Sequence, residues 1–271
     1  MVRPARSSYL VFGAPQVLDP EIDEVVATLR SAWIGTGPRV HAFEEAFREY
    51  VGAEHAIAVH SCTAALHLAM VALGIKPGEE VVVPAMTFVS TASAVIHAGG
   101  RPVVADVDWS TMCLTPEQLA GRLTDRTRAV ICVHFAGRAS DIEGIVGAAA
   151  ERGLAVIEDC AHGVETLVGG RHAGTFGDFA AFSFYATKNL VTGEGGMAPD
   201  AGRRTPDAER ATRIKRLALH GLSAGAWTRF SDAGYKHHEV VELGFKYNMM
   251  DLQGRARHPS ACTRRGEPRQ P

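Results

Sequence analysis

Five lysines stand among 28 basic residues, at Lys76, Lys188, Lys215, Lys236 and Lys246. A reaction that needs an amine nucleophile therefore has few candidates, and one is set apart by its neighbours. Lys188 lies in Ser183-Phe184-Tyr185-Ala186-Thr187-Lys188-Asn189, an apolar and aromatic segment followed by Thr192-Gly193-Glu194-Gly195-Gly196. Burial there would favour the uncharged amine that imine chemistry needs. A lysine that snorkels, its head in water, is the plain alternative. Ser183 adds a hydroxyl suited to a phosphate.

Three further segments carry groups that fit such a reaction. Glu158-Asp159-Cys160-Ala161-His162 follows the apolar run Leu154–Ile157. An acid at a buried strand end is costly without a cationic partner, and a protonated pyridine nitrogen is one. A helix-capping Asp is the bland reading, and His162 is either a ring contact or a satisfied core histidine. His60-Ser61-Cys62-Thr63-Ala64-Ala65 joins a strand to a helix, where free N–H groups and the Thr63 hydroxyl suit a phosphate. A simple Ser/Thr cap would look the same. Thr87-Phe88 places an aromatic ring where it can stack on a flat cofactor or pack in the core.

These segments need a scaffold that gathers strand ends. Asp19-Pro20-Glu21 reads as an N-cap with Pro at the first helical position, leading into Ile22, Val25, Val26 and Leu29 at helical spacing. A second helix carries Val40, Phe43, Phe47 and Val51 on one face. Short apolar runs then alternate with helical patterns. The runs are Ala56–Val59, Val81–Val83, Pro102–Ala105, Ala129–Val133 and Leu154–Ile157; the helices are Thr63–Leu73, Ser90–Ala98, Pro116–Leu123 and Ile142–Arg152. The rhythm predicts a mostly parallel sheet covered on both faces, with ligands at the C-terminal strand ends. Phe176 to Phe184 reads as two short strands and Pro206 to Leu219 as a helix with Ile214 and Leu217 inward. A helical pattern begins at Met249-Met250-Asp251-Leu252-Gln253 and stops.

Composition removes other classes. The net charge is −2, so a dedicated nucleic-acid binder is disfavoured. No apolar run reaches the roughly 18 residues that span a bilayer, and Met1 to Ser8 has no apolar stretch behind its arginines. Five scattered cysteines, Cys62, Cys113, Cys132, Cys160 and Cys262, with no Cys-x-x-Cys pair, fit a reducing cytoplasm better than a disulfide framework. Twelve histidines show no His-x-x-x-His spacing, so no metal is expected. Gly221-Leu222-Ser223-Ala224-Gly225 follows a helix and lacks the strand–turn–helix setting of a nucleophile elbow. Gly35-Thr36-Gly37 lacks the third glycine of a dinucleotide fingerprint.

Taken together, Trp33-Ile34-Gly35-Thr36-Gly37, Ser61–Leu66, Glu158–His162, Ser183–Asn189, Gly193–Gly196, His220-Gly221-Leu222 and Gly244-Phe245-Lys246-Tyr247-Asn248 occur in one order. In that order the chain resembles the DegT/DnrJ/EryC1/StrS family of sugar aminotransferases. Val133-His134-Phe135-Ala136-Gly137 and Gly170-Arg171-His172 are similar, more weakly, to the branch that makes 4-amino-4-deoxy-L-arabinose on a nucleotide carrier. The resemblance implies an α/β type I aminotransferase-like large domain, with a mostly parallel seven-stranded sheet between helices, and pyridoxal 5′-phosphate (PLP) as cofactor. Lys188 would hold PLP as a Schiff base and then move the proton. Asp159 would pair with the ring nitrogen, His162 would lie near the ring hydroxyl, and Phe88 would stack on the ring. Cys62, Thr63, Ala64 and Ser183 would bind the phosphate. Cys62 stands where many relatives have Gly; backbone donors still serve there. Asn248 would reach the phosphate of a neighbouring subunit, which implies a homodimer with shared sites.

The expected activity is transamination of a nucleotide-linked keto-sugar, at C4 rather than C3, with glutamate or glutamine as donor. Residues 9–253 would form the PLP-binding large domain. Gly254 to Pro271 holds five Arg, three Pro and one Glu without apolar periodicity. It reads as a disordered, non-native basic tail, with a small C-terminal domain largely missing and a truncated, inactive chain as the alternative. A sugar dehydratase of the same fold is disfavoured, because such relatives carry His in place of the Schiff-base lysine.

Overall fold

The structure is a computed structural model that describes residues 13–15, 17–200, 208–223, 230–231, 234–235 and 239–254. Two helices open it, α1 (Asp19–Arg30) and α2 (Pro38–Val51). An alternation follows: β1 (His55–Val59), α3 (Cys62–Leu73), β2 (Glu80–Pro84), α4 (Val89–His97), β3 (Arg101–Ala105), α5 (Pro116–Ala120), β4 (Thr127–Val133), α6 (Ile142–Glu151) and β5 (Ala155–Cys160). Then come two short strands, β6 (Leu167–Val168) and β7 (Arg171–His172), and the long-range strands β8 (Phe179–Ser183) and β9 (Gly196–Asp200). Helix α7 (Ala208–Ala218) and the two-residue strands β10 (Phe230–Ser231) and β11 (Gly234–Tyr235) complete the order.

Seven strands form one sheet in the order β1-β9-β8-β5-β4-β2-β3. β2, β3, β4, β5 and β8 run parallel; β9 is antiparallel to both β8 and β1. Only β9 is therefore reversed, and the other six strand ends point one way. This is the mostly parallel, helix-covered sheet that the alternation implied. α3 is apolar all round and sits buried on one face against Ile57, Ile131, Ile157 and Ala181. α5 and α6 cover the other face through Leu119, Ile142 and Ile145. α2 turns Val40, Phe43, Phe47 and Val51 inward, and Phe47 meets Phe182 and Phe184 edge to face at 5.0 and 5.4 Å. Edge-to-face pairs at that spacing add to the area buried.

Several elements depart from the sequence reading. α1 is capped at Leu18, whose N–H donates to Glu21 Oε2 at 2.8 Å; Asp19 and Pro20 are already helical. Phe176 to Phe184 yields one strand, β8, because the preceding backbone N–H groups bond a side chain instead of a strand. β5 runs on to Cys160, since β4 pairs with it as far as Asp159 and β8 as far as Cys160. β9 escaped the pattern: Gly-Met-Ala-Pro-Asp has no β-branched residue, and Pro199 is unusual in a strand paired on both sides. At Met249 a turn forms rather than a helix, with Gly254 N–H donating to Met250 C=O at 3.0 Å. The start of the predicted domain at residue 9, Ala224 and Gly225 of the Gly221–Gly225 segment, and the tail beyond Gly254 lie outside the described residues. No described helix is long and apolar enough to cross a membrane.

Candidate active site

A cleft of about 530 Å³ opens at the C-terminal ends of the parallel strands. Seven of the nine site residues read from the sequence line it: Cys62, Thr63, Phe88, Asp159, His162, Ser183 and Lys188. The other two lie elsewhere. The Ala64 N–H is taken by Ser61 Oγ at 3.2 Å, as the N-cap bond of α3. Asn248 bridges to Val59 through the backbone; its side chain donates to Thr36 Oγ1 at 2.6 Å and accepts from Lys246 Nζ at 2.7 Å.

Asp159 is the chemical centre of the floor. It is 3 % exposed, at the end of β5. Strand alternation sends it to the α3–α4 side and its neighbour Glu158 to the other. Thr91 Oγ1 donates to Asp159 Oδ2 at 2.9 Å, Ala161 N–H to Oδ1 at 3.1 Å, and Cys62 Sγ lies 4.0 Å from Oδ1. None of these donors is a cation. Burial pushes the Asp159 carboxyl above its usual range, against the pull of Thr91, Ala161, His162 and His134.

Glu158, fully buried, is a structural group that the sequence reading left without a role. Its Oε1 accepts from the N–H of Phe176 at 2.8 Å and of Gly177 at 2.6 Å. Its Oε2 accepts from the Gly174 N–H at 2.7 Å and pairs with His134 Nε2 at 3.0 Å. His134 Nδ1 accepts the Ser140 N–H at 3.2 Å, so the ring hydrogen sits on Nε2 and points at Glu158. One carboxylate thus ties the loop before β8 to β4 and β5. These partners lie 16 to 24 residues apart in sequence, and no local pattern marks them.

Lys188 is half-buried at the edge of the floor, so its expected enclosure is only partial. The turn that carries it is closed by Lys188 N–H to Tyr185 C=O at 2.9 Å and Thr192 N–H to Phe184 C=O at 2.9 Å. Gly193 adopts φ +90, a conformation open to glycine at little cost. His162 accepts the Ala136 N–H on Nδ1 at 3.3 Å, which leaves the hydrogen of the neutral ring on Nε2. Burial and the nearby Lys188 charge both push its pKa down. Phe88, 74 % exposed, holds its ring in the cleft wall at the start of α4.

The α3 N-terminus forms a cradle. β1, β9 and β8 end in register, with Val59 opposite Gly196 and Gly196 opposite Ser183. Ser183 is thereby brought beside Ser61, Cys62 and Thr63. Gly196 is required by contact: a Cβ there would stand 2.5 Å from the Ser61 carbonyl carbon and 2.6 Å from the Cys62 nitrogen. Burial raises the Cys62 thiol well above its usual range, with Asp159 adding to the effect. Around this cradle are hydroxyls, helix N–H groups and a positive dipole end, the chemistry of an anion site.

Residues 16–256 match the DegT/DnrJ/EryC1/StrS aminotransferase family. The chain is 48 % identical over 248 residues to the spore coat polysaccharide biosynthesis protein SpsC of Bacillus subtilis. That alignment takes in 92 % of this chain and 62 % of SpsC, so the chain spans less than two thirds of that relative. Among solved structures, it is similar to the aminotransferase TlmJ of Streptoalloteichus hindustanus, with a TM-score of 0.83 and 37 % identity over 94 % of this chain and 66 % of that one. A sugar aminotransferase of Streptococcus pneumoniae, described as putative and solved in its PMP form, matches with a TM-score of 0.86 and 30 % identity over 95 % and 68 % of the two chains. The same protein was also solved in a PLP form.

Proposed function

The chain belongs to the DegT/DnrJ/EryC1/StrS aminotransferase family, and from that premise we propose that it holds the cofactor core of a PLP-dependent aminotransferase for a nucleotide-linked keto-sugar. The observation that carries this reading is Asp159: a buried carboxylate whose donors are uncharged, in the same cleft as Lys188 and an anion cradle. A protonated ring nitrogen would supply the positive charge that this carboxylate lacks. Cys62, Thr63 and Ser183 would hold the phosphate through α3 and the Ser183 hydroxyl. Ala64 gives way here, its N–H being committed to Ser61. Phe88 would cover the ring.

Bound PLP supplies an aldehyde that condenses with amines and a ring that draws electrons from the adjacent carbon. Everything else falls to the chain. Among the described residues lining the cleft, Lys188 carries the one amine. Its Nζ would be the base that takes the donor's Cα proton in the first half-reaction and the acid that gives a proton to the sugar carbon in the second. Asp159, held by Thr91 and Ala161, would keep the ring nitrogen charged. His162 stays neutral near pH 7 and offers Nε2–H without adding a competing cation. Phe88, Phe135 and Tyr185 give the cleft aromatic walls.

Glutamate or glutamine is the proposed donor and sugar C4 the proposed position. Similarity to SpsC, a polysaccharide biosynthesis protein, supports the sugar. A homodimer with shared sites is part of the proposal. Phe88, Val89 and Ile96 leave α4 with an exposed apolar face, which supports a second copy there, and Asn248 lies outside its own cleft, as a residue serving the partner would. Free thiols at Cys62, Cys113, Cys132 and Cys160 support a cytoplasmic setting.

The test separates the two halves of the reaction. PLP-loaded protein is mixed with glutamate or glutamine, and the aminated cofactor is counted by chromatography. Nucleotide-linked 4-keto and 3-keto sugars are then added, and the amino sugar is weighed by mass spectrometry. Amination by one donor and transfer to the 4-keto sugar are expected. Transfer to the 3-keto sugar alone overturns the C4 assignment, and no amination with either donor overturns the proposed activity.

A further inference from the structure

α4 shows Phe88 to the cleft, but its first turn also reaches beneath the cleft floor. Thr87 Oγ1 and Thr91 Oγ1 are 2.6 Å apart, and Thr91 Oγ1 is 2.9 Å from Asp159 Oδ2. A hydroxyl has one hydrogen. If Thr91 gives its hydrogen to the carboxylate, Thr87 must donate to Thr91. The bonds therefore run one way, from Thr87 on the cleft wall, through fully buried Thr91, to Asp159.

From this geometry we infer that Thr91, braced by Thr87, is a positioning residue that holds the Asp159 carboxylate charged and aimed at the cofactor's ring nitrogen. The inference deepens the PLP reading and rests on it. Asp159 needs such a device because its burial works against the charge. Glu158 and Cys160 flank it on β5, and Cys62 faces it from α3, its thiol raised by burial. His162 and His134, in the loops that follow β5 and β4, pull the other way. Among the described residues, the Ala161 N–H and the Thr91 hydroxyl stand within ordinary hydrogen-bond distance, and the weaker Cys62 thiol lies 4.0 Å from Oδ1. A donor to a charged acceptor is worth more than a neutral pair, and removing it leaves the buried carboxylate half satisfied.

Two variants separate a hydroxyl role from a packing role. Thr91→Val keeps the shape and loses the hydroxyl; Thr91→Ser keeps the hydroxyl and loses a methyl. Two readouts are taken on the full chain. One is PLP affinity, from titration of the visible absorbance. The other is the protonated-carboxyl stretch of the PLP-free chain in the infrared, with Asp159→Asn as the subtraction reference. Thr91→Val is expected to weaken PLP binding about tenfold or more and to raise the Asp159 protonated-carboxyl signal at neutral pH. Thr91→Ser is expected to stay within about twofold of the parent, since its charge-assisted bond survives. Parent-like behaviour of Thr91→Val in both readouts, or equal damage from Thr91→Ser, overturns the inference. Absence of PLP binding by the parent overturns the cofactor reading, while the infrared comparison still decides whether Thr91 holds the carboxylate charged.

Discussion

Replacing Glu158 by Gln keeps its shape and takes away one of its two acceptor oxygens. The parent carboxylate accepts four hydrogen bonds, from the N–H groups of Gly174, Phe176 and Gly177 and from His134 Nε2. The amide can still serve one pair of donors through its oxygen. Its NH₂ then faces the other pair, and those two donors lose their acceptor in a fully buried place. Each buried donor left unsatisfied costs about 1–3 kcal/mol, so the pair costs about 4 kcal/mol. For a chain of this size that corresponds to a fall in Tm of about 8–16 °C. Thermal and urea unfolding, followed by circular dichroism at matched protein concentration, measure it. Asp159 points to the opposite face of the sheet. Below its own transition, E158Q should therefore bind PLP within about threefold of the parent, a change under 1 kcal/mol. A Tm within about 2 °C of the parent, under 1 kcal/mol, would refute the claim that Glu158 ties β4, β5 and the loop before β8 together.

Two other substitutions probe the cleft itself. Burial raises the Asp159 carboxyl above its unfolded value, so its contribution to the stability of the PLP-free chain is complete at acid pH and is lost as pH rises through the folded value. Asp159→Asn should therefore raise the Tm of the PLP-free chain at pH 7, and the gain should vanish below the ordinary carboxylate range. The same change removes one partner of a buried charge pair and should weaken PLP binding about 100-fold or more; calorimetry at pH 4 and pH 7 with PLP titration checks both signs. Gly196→Ala sets a Cβ 2.5–2.7 Å from the Ser61–Cys62 backbone, so the α3 N-terminus must move. A loss of about 1–3 kcal/mol in stability is expected, with PLP affinity falling at least about tenfold, both read from unfolding curves and PLP titration.

The scaffold was legible where burial is periodic. Val40, Phe43, Phe47 and Val51 announced the inner face of α2, and the short apolar runs marked β1 to β5 within a residue or two, apart from the longer reach of β5. The cleft was legible for a related reason. Strand-end segments such as Glu158–His162 and Ser183–Asn189 join small, polar or charged residues to apolar runs, and parallel strands gather their ends in one place. What stayed hidden depends on distant partners. β9 is a strand because β1 and β8 pair with it on both sides, despite Pro199 and the absence of a β-branched residue. Glu158 and Asp159 are adjacent, yet one ties down loops and the other faces the cleft. Only the strand's alternation and the donors 16 to 19 residues away separate the two roles. Thr91 reads as an ordinary helical residue until α4 is laid against β5.

The central claim is that Lys188 and Asp159 share a PLP site. The most direct measurement adds PLP to the purified chain, reduces with borohydride and maps the peptides by mass spectrometry. The account predicts a visible absorbance band that reduction abolishes, with the cofactor's mass fixed on the peptide that holds Lys188 and absent from Lys188→Ala. Label on Lys76, Lys215, Lys236 or Lys246 instead, or an unmodified Lys188 peptide at saturating PLP, would contradict it.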